Sequence, residues 1–429
     1  MQKHLSKNDV KILGLSSLGG TLEFYDFIIF VFFANFISQH FFPHDLSEFW
    51  KVLNTYGTFA AGYLARPLGG IVMAHFGDKF GRKNMFVLSI LLMVLPTFLL
   101  AFLPGFESIG YAAPVLLLLI RIFQGIAIGG ELPGAWVFVT EHAPENKKGI
   151  YLGVLTACVV GGILLGSVVS LIMNVLYTQE ELHAWAWRVP FFLGGIFGII
   201  SLYLRRFLQE TPVFKQIQQE KSIENFPLKE VLKSAKFEVF VSMLITWVLT
   251  GCVVIFILIM PNFVQSTLEI STLERIYLQM LGIVFACFGC IFSGYLSDKF
   301  GIFVICSFFA FLLGISSFCY FNVFYALKPS LQNVVIFYLM TCFSAGITNF
   351  CPLIMSGLFD TKVRFSGLSF SYNIAYAIAG GFTPQLLTIL HSYALENLEH
   401  WSRFFLSFYV LFLAFIALLV ACLVRKRLG

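Results

Sequence analysis

The sequence predicts an all-α membrane protein with twelve transmembrane helices in two bundles of six. Of its 429 residues, 58% are hydrophobic and only 12% are charged, whereas a soluble protein carries roughly a quarter charged residues. The mean hydropathy of +0.85 places most of the chain in lipid. A charged, glycine-containing segment also occurs twice, at 77–83 and 297–301, each time between two long apolar runs. Such a recurrence is typical of a duplicated membrane protein.

Twelve apolar segments are long enough to cross a bilayer, which takes about 20 residues. The longest polar interval between them, 209–236, contains Thr211 and Pro212, a typical helix N-cap and first helical residue. It predicts three regions: an N-terminal bundle at 1–208, a cytoplasmic linker with an amphipathic helix at 209–236, and a C-terminal bundle at 237–429. The predicted spans are 12–39, 50–75, 84–103, 111–140, 149–175, 188–208, 237–264, 275–296, 302–322, 331–356, 365–390 and 402–424.

Lysine and arginine residues predict the orientation of the spans. With the N-terminus in the cytoplasm, the cytoplasmic loops and termini hold 21 of the 28 basic residues and the outer loops hold five. Basic residues concentrate on the cytoplasmic side of membrane proteins, so both termini are predicted to be cytoplasmic. Arg205, near the inner end of the predicted span 188–208, is counted here on the cytoplasmic side. Arg66, inside the second span, is expected to extend toward the cytoplasm, and the basic linker to face anionic lipid and not nucleic acid.

Charged residues inside the spans are the first candidates for function, because a charge in hydrocarbon is costly. Glu23 and Asp26 are three residues apart and share one face of the first span. Arg121, Gln124 and Glu131 lie in the fourth span. Desolvation raises the pKa of a carboxyl and a nearby arginine lowers it, which together make a group that can load and release a proton. The sequence therefore predicts that transport is coupled to protons by Glu23, Asp26, Arg121 and Glu131. The alternative is a permanent ion-pair network that only fixes helix packing.

The second half carries fewer charges and offers neutral polar side chains instead. Tyr372, Asn373 and Tyr376 lie close together in the eleventh span, shortly before Gly380-Gly381 and Pro384, which can loosen a membrane helix. The alternative role for this polar face is hydrogen bonding between helices. The residues predicted to bind substrate are Tyr25, Arg121, Gln124, Tyr372, Asn373 and Tyr376.

The segment Gly77-Asp78-Lys79-Phe80-Gly81-Arg82-Lys83 resembles the loop signature of the major facilitator superfamily. Within that superfamily the chain resembles the metabolite–proton symporters, which include carriers of proline and betaine, citrate, 2-oxoglutarate and shikimate. The motifs that carry this narrower resemblance are Glu23-Phe24-Tyr25-Asp26-Phe27, Ala65-Arg66-Pro67-Leu68-Gly69-Gly70, Arg121-x-x-Gln124-Gly125, Gly129-Gly130-Glu131, Glu141-His142-Ala143-Pro144, Trp187-Arg188-Val189-Pro190, Glu210-Thr211-Pro212-Val213-Phe214 and Tyr372-Asn373 with Gly380-Gly381.

The resemblance implies alternating access and gives the two charged segments a gating role. It implies that Arg82 pairs with Glu141 and that Asp78 faces the N-terminus of the eleventh span, where a helix dipole favours an anion. Asp298 of the second copy would lie near the start of the fifth span. Because Gly301 is not followed by Arg-Lys, this second contact is expected to be weaker. The alternative is that both segments only set the topology.

The resemblance also implies a function: a monomeric, proton-driven symporter that imports a small polar metabolite across a bacterial inner membrane. Proline, betaine, another amino acid or an organic acid would suit an intramembrane arginine beside acids. Two alternatives stay open, a proton-driven exporter of drugs or metabolites and a transporter-like receptor. No metal, nucleotide or nucleophile motif is apparent, so the sequence predicts neither an enzyme nor a cofactor or metal, with the proton as the coupling ion.

Overall fold

The computed structural model describes residues 7–43, 45–220, 224, 226–325, 330–396 and 405–428, and these residues are almost entirely helical. Gly81 has a φ of 115°, a left-handed conformation that ends the helix Glu48–Phe80 (α3) and lets the helix Arg82–Phe102 (α4) begin at once. The helices of the first half are α1 (Lys7–Phe32), α2 (Ala34–Phe41), α3 (Glu48–Phe80), α4 (Arg82–Phe102), α5 (Phe106–Ile109), α6 (Ala112–His142), α7 (Lys148–Leu176), α8 (Gln179–Ala184) and α9 (Val189–Arg205).

Two short helices of the linker lead into the second half. The Thr211 side chain accepts a hydrogen bond from the Phe214 amide and Pro212 is the first residue of the next helix, as the sequence predicts. Residues 221–223 and 225 of the linker lie outside the described residues. The helices are α10 (Pro212–Gln219), α11 (Pro227–Ser234), α12 (Lys236–Cys252), a π-helix (Val253–Ile259), α13 (Met260–Leu268), α14 (Thr272–Phe300), α15 (Ile302–Phe324), α16 (Leu331–Ser344), a 3-10 helix (Ala345–Asn349), α17 (Phe350–Leu358), α18 (Arg364–Glu396) and α19 (Phe405–Leu428).

The predicted twelve-helix membrane fold is confirmed. Over the described residues, ten helical segments are long and apolar enough to cross a membrane. The remaining two spans are α3 and α18, each of 33 residues, whose glycine and polar residues lower their hydropathy. Large hydrophobic side chains such as Leu64, Phe102 and Phe311 are exposed on these helices, as a lipid-facing surface requires.

The described residues form two compact units. One comprises those of Met1–His142, Gly161–Lys229 and Thr361–Asn373, and the other those of Ala143–Val160, Glu230–Asp360 and Ile374–Gly429. The helices α7 and α18 therefore contribute residues to both units. The division of the sequence into two bundles and a linker at 209–236 stays a prediction.

Glycines bring α3 and α6 into backbone contact in the first unit. A Cβ atom on Gly125 would overlap the carbonyl of Gly62, and one on Gly129 would overlap the carbonyl of Arg66. Small residues spaced four apart let membrane helices approach this closely. The approach matters for function because α3 and α6 carry buried charged residues that pair with those of their neighbours.

A proline explains the π-helix between α12 and α13. Pro261 has no N–H group, so it can donate neither to the Ile257 carbonyl in α-helical register nor to the Phe256 carbonyl in π-helical register. Side chains of other helices replace this donor. Gln279 Nε2 donates to the Ile257 carbonyl at 2.9 Å and the Tyr338 hydroxyl donates to the Phe256 carbonyl at 2.7 Å. The buried backbone of the π-helix is thus held by α14 and α16.

We expect Gln279→Leu to lower the free energy of unfolding by about 1 kcal/mol. The substitution leaves the Ile257 carbonyl buried without its side-chain donor, while removal of the amide oxygen returns part of that cost. The melting temperature in detergent measures the effect. Gln265→Leu is the control, because the exposed Gln265 only donates to Thr272 on the surface. Equal melting temperatures for Gln279→Leu and the unmodified protein would show that the Ile257 carbonyl is satisfied in another way.

Candidate functional site

Asp26 is held inside the first unit by three polar side chains. Thr97 Oγ1 donates to Asp26 Oδ1 at 3.0 Å, and Gln124 Nε2 donates to Asp26 Oδ2 at 2.9 Å. Arg121 Nη1 lies 3.6 Å from the same oxygen and donates to Gln124 Oε1 at 2.7 Å. The Arg121 guanidinium also lies 4.1 Å from the ring centre of Phe30. Asp26, Arg121 and Gln124, which the sequence singles out, therefore form one buried ion-pair network.

Glu23, one helical turn before Asp26, pairs with a different arginine. Glu23 Oε1 lies 3.1 Å from Arg66 Nη2, and Glu23 Oε2 is buried without a hydrogen-bond partner among the described residues. Arg66 is 3% exposed and its guanidinium lies between the rings of Tyr63 and Tyr372, 5.5 and 5.8 Å from their centres. The expectation that Arg66 extends toward the cytoplasm is wrong, because the Arg66 guanidinium is held in the interior by the buried carboxylate of Glu23.

Glu131 is paired with one arginine through both of its carboxylate oxygens. Arg205 Nη2 donates to its Oε1 at 2.5 Å and Arg205 Nη1 to its Oε2 at 3.0 Å, while the Ser89 hydroxyl donates to Oε2 at 2.5 Å. Arg205 also donates to the Phe86 carbonyl at 2.7 Å. Arg205 is the last residue of α9 and is fully buried, so its charge is paired inside the unit. The bidentate geometry stabilises packing of α4, α6 and α9.

The neutral residues predicted to bind substrate are buried and packed against other helices. The Tyr25 hydroxyl donates to the Pro190 carbonyl at 2.8 Å. The Tyr372 ring meets Trp136 edge-on, with ring centres 4.8 Å apart, and Asn373 Nδ2 donates to the Gly129 carbonyl at 2.7 Å. Tyr376 is buried and belongs to the second unit. Their contact with a substrate stays a prediction.

The first charged segment forms a junction of four elements. Arg82, at the start of α4, lies 3.2 Å from Asp78 and 3.4 Å from Glu141 at the end of α6, and it donates to the Thr361 carbonyl at 2.7 Å. Asp78 Oδ2 accepts a hydrogen bond of 2.8 Å from the Ser366 amide in the first turn of α18. Both predicted contacts, Arg82 with Glu141 and Asp78 with the eleventh span, are confirmed.

The second charged segment makes the equivalent contact in the second unit. Asp298 accepts hydrogen bonds from the backbone amides of Gly149 and Ile150 at 2.7 and 2.8 Å, in the first turn of α7. The predicted position of Asp298 is therefore confirmed. A left-handed glycine, Gly301 with a φ of 85°, again ends the helix. Each aspartate thus places its negative charge at the positive end of another helix.

Comparison with known sequences identifies the family. Residues 17–384 match the sequence model described as Major Facilitator Superfamily. The chain belongs to the major facilitator superfamily. The proline/betaine transporter of Salmonella typhimurium (strain LT2) is 32% identical over 88% of this chain and 76% of its own length. The alpha-ketoglutarate permease of Escherichia coli (strain K12) is 31% identical over 97% of this chain and 93% of its own length.

Solved structures of the major facilitator superfamily share the fold. The proton:xylose symporter XylE bound to 6-bromo-6-deoxy-D-glucose superimposes with a TM-score of 0.81, covers 99% of this chain and 97% of its own, and is 17% identical. A single-residue variant of the Escherichia coli fucose:proton symporter FucP has a TM-score of 0.68 and 16% identity, with 99% of each chain covered. The chain is a multi-pass membrane transporter of this superfamily and not an enzyme.

The linker takes part in the first junction, which the sequence does not reveal. Thr211 Oγ1 donates to Glu141 Oε2 at 2.6 Å, and Arg364 Nη1 lies 3.3 Å from Glu141 Oε1. The Phe214 ring centre is 4.8 Å from the Arg82 guanidinium. The motif around Thr211 indicated only a helix start, because its contact with α6 is made 70 residues away in sequence. Glu141 is therefore shared by two arginines and the linker.

We expect Arg205→Met to destabilise the protein by about 3–5 kcal/mol, because it leaves the Glu131 carboxylate buried and unpaired. Glu131→Gln combined with Arg205→Met removes both charges and regains most of that loss. Thermal unfolding measures both, with the exposed neighbour Arg206→Met as the control. A double variant that is no more stable than Arg205→Met would contradict the pairing.

We expect Arg82→Ala to lower transport at least roughly tenfold at normal expression. It removes the charge that holds Asp78 and Glu141 together, and loss of one partner of a buried pair shifts a conformational equilibrium by several kcal/mol. Uptake into liposomes measures the effect. Lys83→Ala is the matched control, since the structure gives Lys83 a contact with Glu210 through its backbone amide. Unchanged uptake in Arg82→Ala would leave the junction with a topological role only.

Proposed function

We propose that the chain is a proton-coupled symporter that imports a small polar metabolite across a bacterial inner membrane by alternating access. The observation that supports this most directly is the buried network of Asp26, Arg121 and Gln124, which joins the membrane-spanning helices α1 and α6. The Glu23–Arg66 pair lies one helical turn away along α1. A permanent scaffold would need no such charges, because apolar residues of similar size pack at least as stably. The sequence relatives include a proline/betaine transporter and an alpha-ketoglutarate permease.

The proposed coupling follows from charge balance. While Asp26 is ionised it neutralises Arg121, which lies 3.6 Å away. A proton that binds Asp26 removes this negative charge and leaves Arg121 with an uncompensated positive charge in a medium where charges interact strongly. A substrate carboxylate would restore the balance. Proton and carboxylate therefore favour each other's binding, which is the condition for symport.

The buried acids differ in how readily they can accept a proton. All the close partners of Glu131 stabilise its ionised form, with Arg205 contacting both oxygens. Glu23 contacts Arg66 through one oxygen and keeps the other without a hydrogen-bond partner among the described residues. We propose that Glu23 and Asp26 carry the proton, with Arg121 tuning Asp26. A coupling role for Glu131, which the sequence predicts, requires that its pair with Arg205 open.

The proposed substrate is a zwitterion such as proline or betaine, another amino acid, or an organic acid. Arg121 and Gln124 offer donors for a carboxylate, and whichever of Glu23 and Asp26 stays ionised offers negative charge for an amine. Tyr25, Tyr372, Asn373 and Tyr376 remain the predicted neutral contacts. Binding of proton and substrate would release the junction of Asp78, Arg82 and Glu141. It would likewise release Asp298 from the start of α7. We propose that the carrier works as a monomer without a cofactor.

Two rival functions predict different fluxes. An exporter of drugs or metabolites would move substrate against the direction of an imposed proton gradient, and a transporter-like receptor would bind ligand without flux. The direction of counterflow in liposomes under an imposed proton gradient separates the exporter, and binding without any flux identifies the receptor. Labelled proline, glycine betaine and 2-oxoglutarate are the first substrates to use, since carriers with these or related names are among the relatives.

In liposomes with an acidic exterior we expect uptake that exceeds uptake without a pH gradient. Asp26→Asn and Glu23→Gln should each reduce the response to the gradient by roughly tenfold or more, since each removes a proton-binding carboxylate. Glu145→Gln, a surface acid that pairs with Lys148, is the control and should respond normally. If both intramembrane variants keep a full response to the gradient, neither Glu23 nor Asp26 carries the coupled proton.

A further inference from the structure

A proline in α6 leaves one backbone carbonyl without a partner in its own helix. Pro133 lies inside α6 and has no N–H group to donate to the carbonyl four residues earlier, that of Gly129. A buried carbonyl without a hydrogen bond is costly, especially in a membrane protein where water is excluded from the hydrocarbon region. The Gly129 carbonyl must therefore find a donor outside α6.

That donor comes from α18. Asn373 Nδ2 donates to the Gly129 carbonyl at 2.7 Å, and the Ser369 hydroxyl donates to the same oxygen at 3.2 Å. Both residues are buried. Asn373 Nδ2 also lies 2.8 Å from the Ser369 carbonyl, and its Oδ1 has no hydrogen-bond partner within the described part of the chain. The side-chain amide of Asn373 thus points its N–H group toward α6.

The neighbouring helices are shaped for this contact. Gly129 has no side chain and exposes its carbonyl between α3 and α6, and a Cβ atom on Gly70 of α3 would overlap Asn373 Nδ2. Two turns before Asn373 in α18, the Ser366 amide binds Asp78 at 2.8 Å. The first three turns of α18 therefore hold the first unit through two backbone-directed contacts, one at the end of α3 and one deeper, at the proline of α6.

We propose that Asn373 is a positioning residue that, with Pro133, forms a latch, meaning a contact that stabilises the state in which the start of α18 rests on α6. This latch would act beside the junction of Asp78, Arg82 and Glu141. The proposal rests on the alternating access of the proposed function. Because Pro133 frees the Gly129 carbonyl, the hydrogen bond to Asn373 replaces no bond inside α6 and its full benefit is gained only when α18 is seated. When the start of α18 separates from α6, both groups would be solvated by water that enters.

This role differs from the substrate contact that the sequence predicts for Asn373. A substrate contact would raise KM when Asn373 is replaced and would not depend on Pro133. A latch changes the seating of α18 with or without substrate, and its effect depends on whether the Gly129 carbonyl is free. The two assignments therefore separate in a double-variant experiment.

The experiment measures hydrogen–deuterium exchange of the backbone amides of 361–373 in the substrate-free protein, for Asn373→Ala, Pro133→Ala and the combination. Loss of one hydrogen bond should speed exchange roughly two- to tenfold in Asn373→Ala. In the Pro133→Ala background residue 133 supplies its own N–H group to the Gly129 carbonyl. In that background, Asn373→Ala should change the logarithm of the exchange rate by less than half of the change that it causes in the otherwise unmodified protein.

Equal acceleration by Asn373→Ala in both backgrounds, or none in either, would overturn the proposal. Ser369→Ala removes the longer bond to the Gly129 carbonyl and the bond of 3.2 Å that Asn373 Nδ2 donates to Ser369 Oγ, but keeps the shorter bond to Gly129. It should give a smaller acceleration and replaces Asn373→Ala if that variant does not fold. Asn174→Ala is the control, since Asn174 donates to the Ser170 carbonyl inside α7 alone. Because exchange is measured without substrate or gradient, the latch can fail while symport holds, and symport can fail while the coupling of Pro133 and Asn373 holds.

Discussion

The structure depends on the pairing of carboxylates with arginines in a medium that cannot solvate either. Glu23 with Arg66, Asp26 with Arg121 and Glu131 with Arg205 each join two helices of the first unit. The carboxylates differ in how they are paired: both oxygens of Glu131 contact Arg205, whereas Glu23 contacts Arg66 through one oxygen. In the proposed mechanism this difference separates the Glu131–Arg205 pair, which would fix helix packing, from the pairs of Glu23 and Asp26, whose carboxylates would bind the proton, because a fully bonded carboxylate loses the most when it is protonated.

Unpaired backbone groups supply the second constraint. A helix leaves its first amides free, and a proline frees a carbonyl in the middle of a span. Asp78 and Asp298 bind the free amides of α18 and α7, while Asn373 and Gln279 bind carbonyls freed by Pro133 and Pro261. Contacts of this kind suit a transporter, because they form without breaking the internal hydrogen bonds of either helix.

The two charged segments share one geometry and differ in the residues that follow the glycine. Both end in a left-handed glycine and both place an aspartate at a helix N-terminus. Only the first continues into Arg82, which brings Glu141, Arg364 and Thr211 into one junction. The second lacks that arginine, and Lys148 beside it pairs with Glu145 instead. The arginine therefore decides how many elements a junction joins.

The sequence by itself determined the twelve spans, the two charged segments and the intramembrane acids, because hydrophobic length and the cost of a buried charge are local properties. It also indicated Arg82–Glu141 through family resemblance. Only the tertiary structure decided which arginine pairs with which acid. Arg66 lies inside its span and Arg205 at the end of α9, and from the sequence alone either solvent or a buried carboxylate could hold each of them. That choice depends on how α1, α3, α6 and α9 pack, and a linear pattern does not contain the distance between side chains on different helices.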